Sequence, residues 1–222
     1  MRLFFSAVMI SMVTLKACSQ HTVKKSLHQN STIKEVDTKK PNYYLDTITL
    51  GGGCYWCVEA VYEMLEGVES VESGFSGGIL KNPSYYEVCS GKTGHAEVIQ
   101  LVYDTGKIDL TDILKIFFTV HDPTTYNRQG EDVGSQYRSV IFFRNKKQYS
   151  IANNMIQRLN EEDIFQKPIV TELTKFSVFY KAEEDHQDYY MLNKEKPYCR
   201  MVIQPKVDKI EKLFKGKLKS NH

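Results

Sequence analysis

The chain has little of what would mark a nucleic-acid-binding, disulfide-rich or membrane-spanning protein. Its 29 Lys and Arg nearly balance its 27 Asp and Glu, and the basic side chains are dense only at the two ends, so no nucleic-acid partner is expected. Five Cys among 222 residues are too few for a disulfide scaffold, and the odd number leaves at least one thiol free or modified. The apolar stretch 3–15 is too short to span a bilayer. With 41% hydrophobic residues and no internal repeat, the chain is expected to form one globular domain.

The N-terminus has the pattern of an export signal. Arg2 precedes the apolar stretch 3–15, which has the length of a signal-peptide core. Leu15-Lys-Ala-Cys18 resembles the site at which bacterial lipoproteins are lipidated, although a lysine replaces the usual small residue. We predict a signal peptide over 1–18 with lipid attachment at Cys18, which places the protein in the periplasm or cell envelope of a bacterium, in contact with the membrane. A cleaved signal without lipid and an uncleaved anchor stay open.

The rest of the chain divides by composition into three parts. Residues 19–42 are polar and contain few apolar side chains, so they are predicted to form a disordered tether. The folded domain is predicted over 43–215. A short basic tail, 216–222, ends the chain.

Gly51-Gly-Gly-Cys-Tyr-Trp-Cys57 is the most informative run in the chain. It follows residues 46–50, which alternate polar and apolar side chains like a strand. It precedes an apolar stripe from Val58 to Leu65 at the spacing of an amphipathic helix. Cys54 is therefore expected at the N-terminal end of a helix dipole, where a thiol pKa is lowered from about 8.5 to roughly 3.5–7.5. The pattern favours a nucleophilic cysteine.

A single Cys-x-x-Cys also fits a redox pair, half of a zinc site, or two small buried residues. Zinc needs two more ligands at short spacing, and Cys89 and Cys199 are each isolated from other cysteines and from paired histidines. The lysine-containing phosphate-loop motif and the acidic residue of a dinucleotide site are both missing. No metal and no cofactor is therefore predicted. The redox pair and the inert core pair stay open on these residues alone.

The order of strand and helix patterns predicts an α+β fold. Its form would be a two-layer sandwich, a ferredoxin-like plait in which helices pack on one mixed sheet. The strand 96–103 is apolar on both faces and is expected at the centre of the sheet. The loop 124–136 has no apolar period, and long loops of this kind often carry function. Further strands are predicted over 68–75, 137–143 and 169–174, and further helices over 84–90, 109–120, 146–161, 185–192 and 205–214.

Five segments carry a family resemblance. They are Gly52-Gly-Cys-Tyr-Trp-Cys57, Gly74-Phe-Ser-Gly-Gly78, Asn82-Pro-Ser-Tyr-Tyr-Glu-Val-Cys-Ser-Gly-Lys-Thr-Gly-His-Ala-Glu97, His121-Asp-Pro-Thr-Thr-Tyr-Asn-Arg-Gln-Gly-Glu-Asp-Val-Gly-Ser-Gln-Tyr-Arg-Ser139 and His186-Gln-Asp-Tyr189. In this order the chain from about residue 48 to 198 resembles the methionine sulfoxide reductase A family, the peptide-methionine (S)-S-oxide reductases. Several motifs in register are far more specific than one Cys-x-x-Cys.

The resemblance implies roles for residues that suit the chemistry. Reduction of a sulfoxide needs a soft nucleophile for sulfur and a proton donor for the departing oxygen. By the match, Cys54 is the nucleophile and Glu97 the donor, provided that burial raises the pKa of Glu97. A salt-bridged Glu97 is the alternative. Tyr85 and Tyr137 match the family's hydroxyl donors to the sulfoxide oxygen, and Asp132 matches an acidic residue of the same pocket.

Tyr55 and Trp56 match the aromatic pair that encloses the S-methyl group of the substrate. Tyr55 stands where the family more often has Phe. A polarisable sulfur and its methyl group pack well on aromatic faces, although two rings in a first helical turn can also serve only to cap the core. His95, His186 and Cys89 fall within the motifs too, and we interpret the two histidines as structural and Cys89 as a buried thiol.

Two cysteines compete to resolve the sulfenic acid that attack would leave on Cys54. Cys199 aligns with the tail cysteine of many family members, but it has no glycine nearby to make the tail mobile. Cys57 stands where the family usually has glycine, one helical turn from Cys54, so it can bridge with little movement. We favour Cys57, with Cys199 as alternative or relay. A thioredoxin-like protein is expected to reduce the bridge.

The predicted function is thiol-dependent reduction of methionine-(S)-sulfoxide, free or in proteins, in the repair of oxidative damage. One alternative is a thiol–disulfide oxidoreductase that uses Cys54 and Cys57, although thioredoxin-like proteins usually place Trp before the first cysteine. The other is an exported binding lipoprotein with inert cysteines.

Overall fold

The structure, a computed structural model, describes residues 44–220 and begins with a strand that leads into a helix. β1 (Leu45–Gly52) is buried from Ile48 onward, and α1 (Tyr55–Tyr62) buries every residue except Trp56. A helix of this length is marginal in isolation, so α1 depends on this tertiary packing. The predicted signal peptide, Cys18 and the tether lie outside the described residues.

Both strands and helices follow α1 along the chain. Within residues 44–220, no helix combines the length and the apolar character needed to cross a bilayer. The elements after α1 are β2 (Val68–Ser76), α2 (Tyr85–Cys89), β3 (Ala96–Asp104), α3 (Leu110–Val120), β4 (Arg128–Gln129), β5 (Asp132–Val133), β6 (Ser139–Phe143), α4 (Lys146–Glu161), β7 (Glu172–Lys175), β8 (Phe179–Lys181), α5 (Tyr189–Leu192) and α6 (Gln204–Leu213).

Three of these helices begin where the sequence supplies a capping side chain. Ser84 caps α2 by accepting a hydrogen bond from the Glu87 N–H, and the Glu87 carboxylate accepts from Ser84 in return. Asp109 and Asn145 cap α3 and α4 in the same way, each accepting an N–H three residues later. Such caps satisfy backbone donors that a helix start otherwise leaves unpaired. The predicted starts of these helices are confirmed.

The main sheet has the strand order β7-β6-β1-β3-β2-β8. Every pair is antiparallel apart from the parallel pair β6 and β7. The inner strands β6-β1-β3-β2, with α1 between β1 and β2 and α3 between β3 and β6, have the connectivity of a ferredoxin-like plait. β3 lies inside the sheet between β1 and β2, as its two apolar faces predict. The α+β prediction is confirmed.

Glu97 lies on the face of the sheet that the helices cover. On β3, Ile99 and Leu101 belong to the large core shared with the helices. Ala96 and Val98 belong to a smaller apolar cluster on the opposite face. Because side chains alternate along a strand, the side chain of Glu97 lies under the helical layer.

The edges of the sheet differ from the sequence predictions. β7 begins at Glu172, because the N–H groups of Ile169 and Val170 bond to partners outside the sheet. β8 has only three residues and no sequence signal, and it is held by pairing with β2. The loop 124–136 contains the hairpin β4–β5, whose strands of two residues are too short to show a period.

The C-terminal part of the domain also departs from the prediction. The segment 185–192 is divided into a 3₁₀ turn, Glu184–His186, and α5. The break occurs because Asp188 adopts a left-handed backbone (φ 49°) and the Gln187 amide binds the backbone of β2. A π-helical turn, Cys199–Ile203, precedes α6.

Gly53 joins β1 to α1 in a conformation that other residues adopt poorly. Its φ is +94°, and a methyl group placed on it would lie 2.5 Å from the Gln129 Cγ. We expect Gly53→Ala to lower the free energy of unfolding by about 2 kcal/mol, as measured by urea denaturation. Gly216→Ala is the control, because its methyl group would meet no atom of the described chain within 4 Å. Equal stability of the two variants would contradict this account of the junction.

Candidate active site

Cys54 occupies the junction between β1 and α1. It is the residue immediately before α1, and its carbonyl accepts a hydrogen bond from the Cys57 N–H at 3.1 Å. Its side chain is only 7% exposed. The predicted location of the thiol at a helix N-terminus is therefore correct, but the thiol is largely removed from water.

The thiols of Cys54 and Cys57 hydrogen-bond each other. Burial, with the neighbouring Cys57 and Glu97, raises the pKa of Cys54 well above its usual value, so the lowering expected from the helix dipole is wrong. The hydrogen bond to Cys54 and the nearby Lys206 ammonium lower the pKa of Cys57 to about 6 in spite of burial. The pair therefore releases one proton readily and holds the second.

The buried carboxyl of Glu97 hydrogen-bonds to the backbone of Tyr55, the residue that follows Cys54. The Glu97 side chain is 2% exposed, and its Oε2 accepts a hydrogen bond from the Tyr55 N–H at 3.2 Å. Burial raises the pKa of Glu97 to about 8, and the charge of Asp132 adds to the rise. The carboxyl is thus protonated at neutral pH, which is the state that a general acid needs. Within residues 44–220 it has no cationic partner, so the salt-bridged alternative does not apply.

Tyr85, Tyr137 and Asp132 all interact electrostatically with the same carboxyl. Tyr85 is the first residue of α2, Tyr137 ends a 3₁₀ turn before β6, and Asp132 is the first residue of β5. Burial raises the pKa of both tyrosines, and the charge of Glu97 raises them further. The two hydroxyls therefore stay protonated and can donate hydrogen bonds. The structure brings these predicted residues together around Glu97.

Trp56 and Tyr55 are part of a larger group of rings, here called the aromatic cluster: Tyr55, Trp56, His186 and Tyr189. Trp56 stacks flat on Tyr189, with ring centroids 3.6 Å apart and planes 6° apart. His186 lies nearly parallel to Trp56 at 5.5 Å, and Tyr55 lies 5.9 Å from Trp56. His186, interpreted as structural, thus joins the wall beside Cys54 through its ring.

Polar atoms within the aromatic cluster lack partners. Among the described residues, the Tyr55 hydroxyl, the Trp56 Nε1 and the His186 Nδ1 are buried without a hydrogen bond. Buried polar groups of this kind are uncommon and call for an explanation. A polar ligand at the cluster would supply one.

The sequence interpretation missed Tyr198 and Lys206. The Tyr198 hydroxyl lies 3.8 Å from the Cys57 Sγ and donates to the Asp132 Oδ2 at 3.2 Å. Its ring meets Trp56 edge-on at 6.0 Å, and burial raises its pKa, so the phenol keeps its proton. The only available signal was its place beside the tail cysteine. Lys206 had no signal, because it reaches the thiols only through the packing of α6.

Cys199 is near the thiol pair but is held in regular structure. It begins the π-helical turn and is fully buried. Burial raises its pKa, and the charge of Cys57 adds to the rise. Cys54, Cys57, Cys89 and Cys199 are all free thiols.

His95 and Cys89 lie at the margin of the site. The His95 Nδ1 accepts a hydrogen bond from the Gly78 N–H at 3.1 Å, and its Nε2 donates to the Leu80 carbonyl at 2.7 Å. His95 thus fixes the loop after β2, in line with a structural role. Cys89 is half-buried rather than buried and hydrogen-bonds to Tyr85.

Comparison with known sequences gives a consistent family. A family model described as peptide methionine sulfoxide reductase matches residues 46–218. The peptide methionine sulfoxide reductase MsrA of Saccharolobus solfataricus is 53% identical over 175 residues, which are 79% of this chain and 98% of that protein. MsrA of Trichodesmium erythraeum is 54% identical over 170 residues, 77% of this chain and 96% of that protein.

Solved structures agree with the sequences. Mxr1 from Saccharomyces cerevisiae in its reduced form matches with a TM-score of 0.64 at 31% identity, covering 70% of this chain and 89% of that one. Methionine sulfoxide reductase A of Corynebacterium diphtheriae matches with a TM-score of 0.60 at 34% identity, covering 68% of this chain and 76% of that one. The resemblance found in the sequence is confirmed. The chain therefore belongs to the peptide methionine sulfoxide reductase family and is an enzyme of the MsrA type.

Proposed function

We propose that this enzyme reduces methionine-(S)-sulfoxide, free or within proteins, through a sulfenic acid on Cys54 and a disulfide between Cys54 and Cys57. The observation that carries the proposal is the protonated Glu97 carboxyl bound to the amide that follows Cys54. A nucleophile for sulfur and an acid for oxygen are the two groups that the reaction requires. Repair of oxidised methionine is the role that this chemistry serves.

The first step is to place negative charge on Cys54. At neutral pH the thiol pair holds one proton, and the hydrogen bond between the two sulfurs allows that proton to pass from Cys54 to Cys57. Cys57 then acts as the base that activates the nucleophile. The transfer moves the charge toward the N-terminal end of α1, where the helix dipole favours an anion.

Attack and protonation follow together. The Cys54 thiolate attacks the sulfoxide sulfur while Glu97 gives its proton to the oxygen. In the resulting adduct the hydroxyl group passes to the Cys54 Sγ: an Sγ–O bond forms while the bonds from the substrate sulfur to Sγ and to oxygen both break, which releases methionine and leaves a sulfenic acid. The hydroxyls of Tyr85 and Tyr137 donate to the same oxygen, and the aromatic cluster packs on the methyl group.

The sulfenic acid is resolved by Cys57. Its sulfur attacks the Cys54 Sγ, a disulfide forms, and the hydroxyl group leaves as water after taking a proton. The mutual hydrogen bond of the two thiols and the lowered pKa of Cys57 both support this choice. Cys199 is fully buried within a helical turn, which makes it the slower alternative.

A thioredoxin-like dithiol would reduce the Cys54–Cys57 disulfide and restore the enzyme.

Export and anchoring rest on the sequence of residues 1–18 alone. We propose that the signal peptide directs the enzyme to the bacterial cell envelope, and that a lipid on Cys18 attaches it to the membrane.

The assignment of the cysteines can be tested by serine substitution. We expect Cys54→Ser to abolish turnover with methionine-(S)-sulfoxide. Cys57→Ser is expected to retain measurable release of about one methionine per enzyme, but to lose thioredoxin-driven cycling. Cys199→Ser is the matched control and should cycle like the unaltered enzyme, measured by methionine release and intact mass. Full cycling in Cys57→Ser would assign the resolving role to Cys199.

The pKa values of the thiol pair and of Glu97 predict a bell-shaped pH dependence of kcat/KM. Below a pH of about 6 the thiol pair keeps both protons, and above about 8 Glu97 loses the proton that it must donate, so the rate falls on both sides.

Glu97→Gln keeps an acceptor for the Tyr55 N–H but cannot donate the proton. We expect it to lower the rate by about 10²- to 10⁴-fold and to remove the alkaline limb. An alkaline limb that persists in Glu97→Gln would assign that limb to another group.

A further inference from the structure

Glu59 is a buried carboxyl that the proposed chemistry does not use. It lies one turn beyond Trp56 on α1 and is only 1% exposed. In residues 44–220 no lysine, arginine or histidine forms an ion pair with it. Carboxylates are almost never fully buried unless they are paired or well hydrogen-bonded. Its hydrogen-bond partners therefore indicate what it does.

Glu59 binds the two segments that flank it. Its Oε1 accepts from the Ser73 hydroxyl on β2 at 2.9 Å, and its Oε2 accepts from the Tyr189 N–H at 3.2 Å. The N–H of the same Ser73 donates to the Gln187 Oε1 at 2.9 Å, and its carbonyl accepts from the Gln187 Nε2 at 3.0 Å. Gln187 is thus bonded to β2 and Tyr189 to α1, one on each side of Asp188.

These hydrogen bonds hold the backbone of Asp188 in an unfavourable conformation. Asp188 has a left-handed φ of 49°, which costs energy in a residue other than glycine. This turn sets the start of α5 and hence the direction of the Tyr189 side chain. Without the Glu59 carboxylate, the N–H of Tyr189 would lose its acceptor at the point where the chain turns.

The ring of Tyr189 is the part of this segment that reaches the site. It lies flat on Trp56 with centroids 3.6 Å apart, while the Lys196 ammonium lies 4.9 Å from the ring centroid. The stack fixes one wall of the aromatic cluster. Aromatic pairs of this kind contribute about 0.5–1.5 kcal/mol beyond the area that they bury.

We infer that Glu59 is a positioning residue that holds Tyr189 against Trp56 and so shapes the wall on which the substrate methyl group packs. The inference rests on the proposed function, because it takes Trp56 as part of the substrate site. A wall that contacts the substrate equally before and during reaction affects KM and leaves kcat unchanged.

The test uses the only tryptophan of the chain, since its fluorescence reports on Trp56 alone. Glu59→Leu keeps the volume but removes the acceptor. We expect its emission to shift to longer wavelength and KM for a methyl sulfoxide to rise about five- to tenfold, with kcat within about twofold, dithiothreitol serving as reductant. Glu59→Gln should restore both values, because its amide can accept from Tyr189 and donate to Ser73. Glu161→Gln, an exposed glutamate at the end of α4, is the matched control and should leave both values unchanged.

A double-mutant cycle separates positioning from general destabilisation. If Glu59 acts through Tyr189, then Tyr189→Ala should raise KM by a similar factor, and adding Glu59→Leu should raise it no further. Additive increases in KM, or a folded Glu59→Leu with unchanged emission and KM, would overturn the inference. If Glu59→Leu does not fold, a failure of Glu59→Gln to match the unaltered enzyme overturns it. Failure of the proposed chemistry would appear separately, as absent turnover in the unaltered enzyme.

Discussion

The removal of one carboxyl from water is the constraint on which the site depends. Glu97 lies at the start of an interior strand, under the helical layer, and among residues 44–220 its hydrogen-bond partner is the Tyr55 N–H. Burial of this kind makes the charged form unfavourable, so the protein keeps an acid protonated at a pH where free carboxylic acids are ionised. The same N–H fixes the carboxyl next to Cys54. Acid and nucleophile are therefore placed by a single hydrogen bond between a strand and a helix start.

α1 carries most of the remaining chemistry in eight residues. Cys54 precedes it, Trp56 and Cys57 occupy its first turn, and Glu59 occupies its second. Because nearly all of α1 is buried, each of these side chains meets a partner from a distant part of the chain: Lys206 and Tyr198 approach Cys57, and Tyr189 covers Trp56. The short helix thus serves as a rigid support whose orientation is set by the sheet below it.

Local patterns in the sequence were enough to predict those elements whose structure depends on neighbouring residues alone. The strand and helix around Cys54, the helices that begin near Ser84 and Asp109 and the two-faced β3 follow from alternation, helical spacing and turn residues. The family motifs gave Glu97 and its neighbours. What failed depends on contacts across the chain. The pKa of Cys54 is set by burial and by Cys57 rather than by the helix dipole, and the break at Asp188 depends on residues about 130 positions away.

The most direct test is the titration of Glu97 in the reduced enzyme. Its carboxyl carbon can be followed by nuclear magnetic resonance in protein labelled on glutamate side chains, with Glu97→Gln to assign the signal. The account predicts a pKa of about 8. A value near the ordinary ~4.3 of glutamate would contradict it, because the carboxyl would then be ionised at neutral pH and could not protonate the departing oxygen.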